Sequence, residues 1–429
     1  MRSISLKELD IRTFIRDKFT SLFYTASSGV TSIAQLVSSF VIIKFVDPSE
    51  LGVWNSVKLL TVYSFLILCG INNGLNRELP YSLGQNNLDQ ARKKTGVALY
   101  FNILTSMIMV AVGLGVLLIL STRVEFNLFI ALAIVLPYII LNHYSNYLTV
   151  TYRSKDSFNI LSYVKLVESF LMVITILLVV WYGYRGMLLR SLLLLLFITL
   201  LMHIYRPIRV KPQWSKPEFI TLLKTGTPIF VIDYIKNISN TFAPLFVLNA
   251  GGFGMVGLFT LGTMAFGTIT VIPSSITQYV YPKYSYAFGK NNNPKDLWKI
   301  GVRSLLLCSA MLVPVIIITM ILVDPLVQKF FPKYSGGIPA AKIFILASFF
   351  NSISILTAIL LSLKLFKMLF INQLSFSVLL ILMPALCVNL FSNPLIGASI
   401  GVLIANVANF ILVMCTVYYS THRLNPIYE

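Results

Sequence analysis

The sequence predicts an all-α membrane protein of twelve transmembrane helices, arranged as two parallel six-helix repeats around a central cavity. Three observations carry this. The residues are 57% hydrophobic and 11% charged with a mean hydropathy of +0.81, a balance foreign to soluble domains. Apolar runs long enough to cross a hydrocarbon layer about 30 Å thick, roughly 20 residues each, follow one another along the chain. Glycine and polar positions recur at a fixed offset of 205 residues.

The first half carries expected spans over 19–43, 53–71, 95–120, 126–148, 160–181 and 187–204. The second carries 223–248, 255–279, 300–322, 340–361, 370–390 and 395–419. Outer-membrane barrels alternate polar and apolar residues over short strands, so these continuous runs exclude a barrel. The expected domains are an amphipathic segment over 1–18, an N-terminal lobe over 19–204, a linker over 205–222, a C-terminal lobe over 223–419 and a tail over 420–429. In the first segment Leu6, Leu9, Phe14 and Ile15 interleave with Lys7, Arg12 and Arg16, a pattern suited to a membrane surface. The first apolar run is too long and too rich in Ser and Thr for a cleaved signal peptide.

Charge sets the orientation. Twenty-four of the 34 Lys and Arg residues fall in the termini or in loops after even-numbered spans, and six (Lys44, Arg123, Arg185, Lys329, Lys333, Lys342) in the opposite loops. By the positive-inside rule both termini are cytoplasmic, in a multi-pass protein of the bacterial inner membrane. The net charge of +19 thereby reports topology, and no nucleic-acid partner is expected. The run Arg92-Lys93-Lys94 and the stretch from Arg206 to Lys216 are suited to anionic lipid heads. Cys69, Cys308, Cys387 and Cys415 lie in apolar spans as packing residues, and no metal or other cofactor is implied.

The repeat fixes the register of the halves. Gly52, Gly84 and Gly96 fall on Gly257, Gly289 and Gly301, and Asn86-Asn87 falls on Asn291-Asn292. Two six-span halves keep the same orientation, so the repeat is parallel. Polar residues inside the spans follow the same offset. Thr25, Ser28, Ser32, Gln35 and Ser39 form a stripe on one face of the first span, and Ser28, Ser32 and Gln35 match Asp233, Asn237 and Asn240 in the seventh. Asn55 and Lys58 match Thr260 and Thr263, Asn146 and Thr149 match Asn351 and Ser354, and Glu168 matches Gln373. Small hydroxyl residues let helices pack closely. Amides and charges at these depths instead point to a hydrated cavity, with Gln35, Asn55, Asn146, Asn237, Asn240 and Asn351 as lining candidates.

A charge at membrane depth costs at least about 2.5 kcal/mol and calls for a reason. Lys165 with Glu168, and Asp233 with Lys236, are spaced to meet on one helix face. Either pair is readable as a neutralising ion pair or as part of the cavity. Lys58 has no local partner and suits an anionic group, although it can also reach the interface. Arg190, near a helix end, is expected to snorkel. Lys58, Lys165 and Lys236 are the cationic binding candidates, and Asp233 and Glu168 the coupling-ion candidates.

Three stretches stand out: Asp47-Pro48-Ser49-Glu50-Leu51-Gly52-Val53-Trp54, echoed by Gly257-Leu258-Phe259; Gly74-Leu75-Asn76-Arg77; and Leu83-Gly84-Gln85-Asn86-Asn87 through Ala91-Arg92-Lys93. In these the sequence resembles the Wzx-type polysaccharide flippases of the multidrug/oligosaccharidyl-lipid/polysaccharide exporter superfamily. The resemblance covers most of the chain and implies a transporter rather than an enzyme. Its expected activity is translocation of an undecaprenyl-diphosphate-linked oligosaccharide by alternating access, for O-antigen or capsular polysaccharide assembly. Membrane lipid, a polysaccharide polymerase and chain-length regulator, and H+ or Na+ are the partners it implies. The sequence has no P-loop, which sets ATP aside as direct energy source. The alternative is a cation-coupled multidrug antiporter of the same superfamily.

Overall fold

Apolar segments in lipid must bond their own backbone groups, and long helices are the open-chain way of doing so. In the computed structural model the described residues are 6–291 and 293–422. Side chains are described from Phe23 onward, other than those of Thr25, Pro282, Ser285 and 289–291. The amphipathic face expected over 1–18, the Gly289 to Asn292 copy of the repeated loop and the end of the tail lie outside these limits.

Twelve helical spans follow in order, and no strand occurs among the described residues. The first six are Leu6–Phe45, Pro48–Leu68, Leu88–Leu120, Phe126–Ser154, 158–182 and 184–204. The last six are 216–251, 253–291, Pro294–Phe330, 338–362, Phe366–Leu390 and Pro394–His422. A shorter helix, Ile71–Gly84, extends the second span. Several helices outrun their apolar stretch: the 33 residues of Leu88–Leu120 rise about 50 Å against a core of about 30 Å. Hydropathy marks where lipid begins, whereas helical hydrogen bonding continues into the aqueous layer.

Two helix-to-helix joints are single glycines. Gly183 (φ 53°, ψ −126°) separates the fifth span from the sixth, and Gly252 (φ 70°, ψ −172°) the seventh from the eighth. A Cβ disfavours both conformations. Gly252 falls, at the repeat offset, on Asp47, where the chain also turns between spans.

The chain forms two compact units. Of the described residues, the first comprises those up to 46 and 57–231, the second 47–56 and those from 232 on. Relative to the expected lobes, the start of the second span belongs with the second unit, and the linker with the first turns of the seventh span belongs with the first. In the first unit Ile71, Leu75, Leu79, Tyr147, Tyr152 and Leu222 form a buried core. There a Cβ on Gly226 would stand 2.2 Å from the Gly70 carbonyl oxygen, so the two backbones pass in near contact. In the second unit Ala243, Val247, Phe259, Phe344 and Val402 form the core, with Phe259 edge-on to Phe344 at 5.1 Å. Gly397 and Gly401 bring the twelfth span against the Cys387 and Pro384 backbone of the eleventh.

Some local expectations change. Arg190 is 6% exposed and does not snorkel; its Nη2 donates to the Met172 carbonyl at 3.0 Å, holding the sixth span to the fifth. Lys94 is 2% exposed and turns inward from its basic run to Glu78 at 2.7 Å and Ser82 at 3.2 Å, since a carboxylate waits one helix away. Cys308 and Cys387 are buried as expected, whereas Cys69 and Cys415 are exposed.

Candidate functional site

In the first unit one residue of the first span's polar stripe, Ser28, meets the fifth span, whereas Ser32 bonds back to its own helix. Lys165 donates to Ser28 Oγ at 2.6 Å and lies 4.2 Å from the centre of the Tyr24 ring. Thr31 donates to the Lys165 carbonyl at 3.2 Å and accepts from Ser169 at 3.0 Å. The ammonium thereby gains a hydroxyl and an aromatic face, and it forms no ion pair with Glu168, three residues along the same helix, among the described residues. Further along, Gln35 is exposed, and the Lys58 ammonium lies 5.7 Å from the Tyr138 ring. Asn146 accepts from Asn72 at 3.0 Å, and Asn72 and Asn102 exchange amide bonds at 2.9 and 3.5 Å.

In the second unit the equivalent stripe opens on a cavity of about 660 Å³. Lys236 and Asn240, one turn apart on the seventh span, line one side. Asn351 enters from the tenth span, where a short 3-10 turn, Asn351–Ile353, interrupts the α-helix. Asn372 and Gln373 come from the eleventh span, Asn406 and Asn409 from the twelfth. Between the amides stand the rings of Phe259, Phe266, Phe344 and Phe376. Of the expected lining residues, then, the cavity collects Lys236, Asn240 and Asn351. It also collects Gln373, the match of Glu168, and Thr263 and Ser354, the matches of Lys58 and Thr149.

Asn237 and Asp233 share the seventh span with Lys236 but do not line this cavity, and both are exposed. Asp233 and Lys236 form no ion pair among the described residues. Asn55 spends its amide on Thr260, at 2.8 Å. Sequence reasoning missed Asn372, Asn406 and Asn409, which have no polar partner at the repeat offset: the matching positions are Val167, Leu201 and Ile204. The available signal was asparagine itself, recurring in apolar helices where it is costly.

Asn372 is the most informative. It is 5% exposed, its Oδ1 accepts from Thr416 at 3.1 Å, and its Nδ2 has no bond among the described residues. Two buried N–H donors that face a hollow without a protein acceptor are donors for something that enters it. Asn406 differs, since its amide donates to the Val402 carbonyl at 2.9 Å and leaves its own oxygen to accept. The cavity therefore offers donors, acceptors, aromatic faces and one cation.

This fold is that of multi-pass membrane transporters. A multidrug-resistance MATE family transporter of the MOP superfamily, in an inward-facing conformation, is similar over 93% of this chain and 96% of its own, with 13% identity and a TM-score of 0.69. The lipid II flippase MurJ, inward closed, is similar over 92% of this chain and 87% of its own, with 13% identity and a TM-score of 0.70. A MOP superfamily transporter from Pyrococcus furiosus, described as having a binding pocket of reversed polarity, covers 94% and 96% with 15% identity and a TM-score of 0.61. No curated protein sequence matches the chain. The family model described as polysaccharide biosynthesis protein matches residues 41–334, and the chain belongs to that family.

Proposed function

We propose that the protein is a flippase that carries an undecaprenyl-diphosphate-linked oligosaccharide across the bacterial inner membrane by alternating access, for O-antigen or capsule assembly. The cavity of the second unit is the sugar site. Amide side chains pair naturally with hydroxyl groups, which both donate and accept, and phenylalanine rings suit the apolar C–H faces of a pyranose. Lys236, with no ion-pair partner among the described residues, is the cation for a phosphate of the carrier. Asp233 and Glu168 are the candidates for a coupling H+ or Na+. Both termini are cytoplasmic in this reading, from the distribution of Lys and Arg.

The Asn372 Nδ2, which has no partner among the described residues and lies inside an amide-rich cavity, is the observation that carries the reading. The test is complementation in a strain lacking the gene, following surface polysaccharide and lipid-linked repeat units. Restoration by the native protein, with Lys236→Ala and Asn372→Leu leaving repeat units on the cytoplasmic face, supports it. Unchanged polysaccharide with altered drug sensitivity would establish the cation-coupled multidrug antiporter instead.

A further inference from the structure

The first unit holds a larger hollow, about 870 Å³, that the sugar site does not use. It runs along the third and fourth spans as a groove walled by Ile103, Met107, Val110, Leu114, Ile140 and Leu141. Met107 is 66% exposed, so this wall faces outward rather than into a core. From Ile103 to Leu114 the helix rises about 16 Å, close to the depth of one hydrocarbon leaflet. At one end the lining turns polar, with Tyr144, His203 and Arg206. That end also carries Tyr100 against Trp214, with Trp214 exposed, an arrangement typical of the headgroup level.

The polar end is wired in one direction. Arg206 can only donate, and its Nη1 bonds both His203 Nε2, at 2.5 Å, and the His203 carbonyl, at 2.9 Å. Nε2 is therefore the acceptor, Nδ1 carries the proton, and it donates to the Tyr144 hydroxyl at 2.6 Å. Two groups are left over. Tyr144 keeps its own O–H to donate, and Arg206 keeps the edge formed by Nε and Nη2, the fork that takes a phosphate bidentately. Arg209 adds a second cation in the same loop.

We propose that this groove is a binding site for an anionic glycerophospholipid, its phosphate on Arg206 and Tyr144 and one acyl chain along Met107 and Val110. A free anion would leave the apolar wall exposed, and a zwitterionic lipid would bring an ammonium toward two arginines. The site is independent of the sugar-lipid reading and would hold for an antiporter equally.

Native mass spectrometry of the full-length protein tests it, with phosphatidylglycerol and phosphatidylcholine titrated into the same micelles. The expected result is preferential retention of phosphatidylglycerol, weakened about tenfold by Arg206→Gln, as loss of a charge-assisted contact implies. Met107→Trp, which fills the groove from its outer wall, should lower retention of the lipid with Arg206 intact. Equal retention of the two lipids, or retention unchanged in both variants, would overturn the proposal. Displacement of phosphatidylglycerol by stoichiometric undecaprenyl phosphate would overturn it too, by giving the groove to the carrier tail. The folded monomer peak in each spectrum separates lost binding from lost folding.

Discussion

Asn55 donates to Thr260 across 2.8 Å, and these two residues are 205 positions apart, each the repeat equivalent of the other. Both lie in the second unit, where a position that bonds its own counterpart marks a reciprocal contact between the second and eighth spans. The glycines three residues earlier obey the same reciprocity. A Cβ on Gly52 would stand 1.7 Å from the Phe253 carbonyl oxygen, and one on Gly257 would stand 1.7 Å from that of Pro48, with Phe253 and Pro48 themselves equivalent. The contact is isologous within one chain, as at a two-fold dimer interface.

Because the contact is reciprocal, Gly52→Ala and Gly257→Ala should destabilise by similar amounts. Each forces a methyl into a carbonyl, at a cost of about 3 kcal/mol or more. Gly29→Ala and Gly84→Ala, where nothing stands within 4 Å, are the controls and should leave thermal unfolding of the purified protein nearly unchanged. Unequal losses at the two central glycines would count against the symmetric contact.

The buried pair of Lys94 and Glu78 predicts a pH dependence. The hydrogen bond from Lys94, more than the opposing desolvation, holds the Glu78 carboxyl below its ordinary pKa, and Thr225 donates to its other oxygen at 3.3 Å. A lowered folded-state pKa gives stability that is present above the unfolded value, near 4.3, and is lost as pH falls through the folded one. Thermal stability of the native protein and of Glu78→Gln should differ most above about pH 5 and converge as the pH falls below about 4. Lys94→Met should cost about 2 kcal/mol at neutral pH, and less when combined with Glu78→Gln.

Asn372→Leu separates stability from transport. The native Nδ2 forms no bond among the described residues, and Thr416 keeps the Leu412 carbonyl, at 2.8 Å, after the amide oxygen is lost. Replacing a buried amide whose nitrogen is unpaired, and whose oxygen's one donor keeps another acceptor, by a similar apolar shape is near neutral, within about 1 kcal/mol. Unfolding temperature should stay level while polysaccharide export falls. A large loss of stability would show the amide to be structural.

The bond from Lys165 to Ser28 joins the first span to the fifth. A double-mutant cycle of Lys165→Met and Ser28→Ala should show coupling of about 1 kcal/mol, since either change alone already removes the bond. Additive losses would mean that the lysine is held by the Tyr24 ring alone.

Hydropathy and the repeat made the helices legible, because burial in lipid leaves a continuous apolar signature and duplication leaves paired glycines. Lys236, Asn240 and Asn351 were legible for the same reason, being polar where lipid would surround them. Lys94 was not, since its carboxylate lies 16 residues away beyond a turn whose geometry no periodicity encodes. Nor was Asn372: its repeat mate Val167 hides it, and only tertiary packing shows which amide is left over. Spacing left Lys165 and Glu168 open between a local ion pair and the cavity because it sees one helix, whereas the lysine turned to a neighbouring one.

The two units do not coincide with the two halves of the sequence. Residues 47–56 sit with the described residues from 232 on, and 205–231 sit with the first half. Each half of the sequence thus leaves a short piece in the unit built mainly from the other, and the two pieces are not repeat equivalents of one another. Neither half could then be cut out as a self-sufficient module, and a split gene would work only when both fragments are made together, each completing the other as it folds.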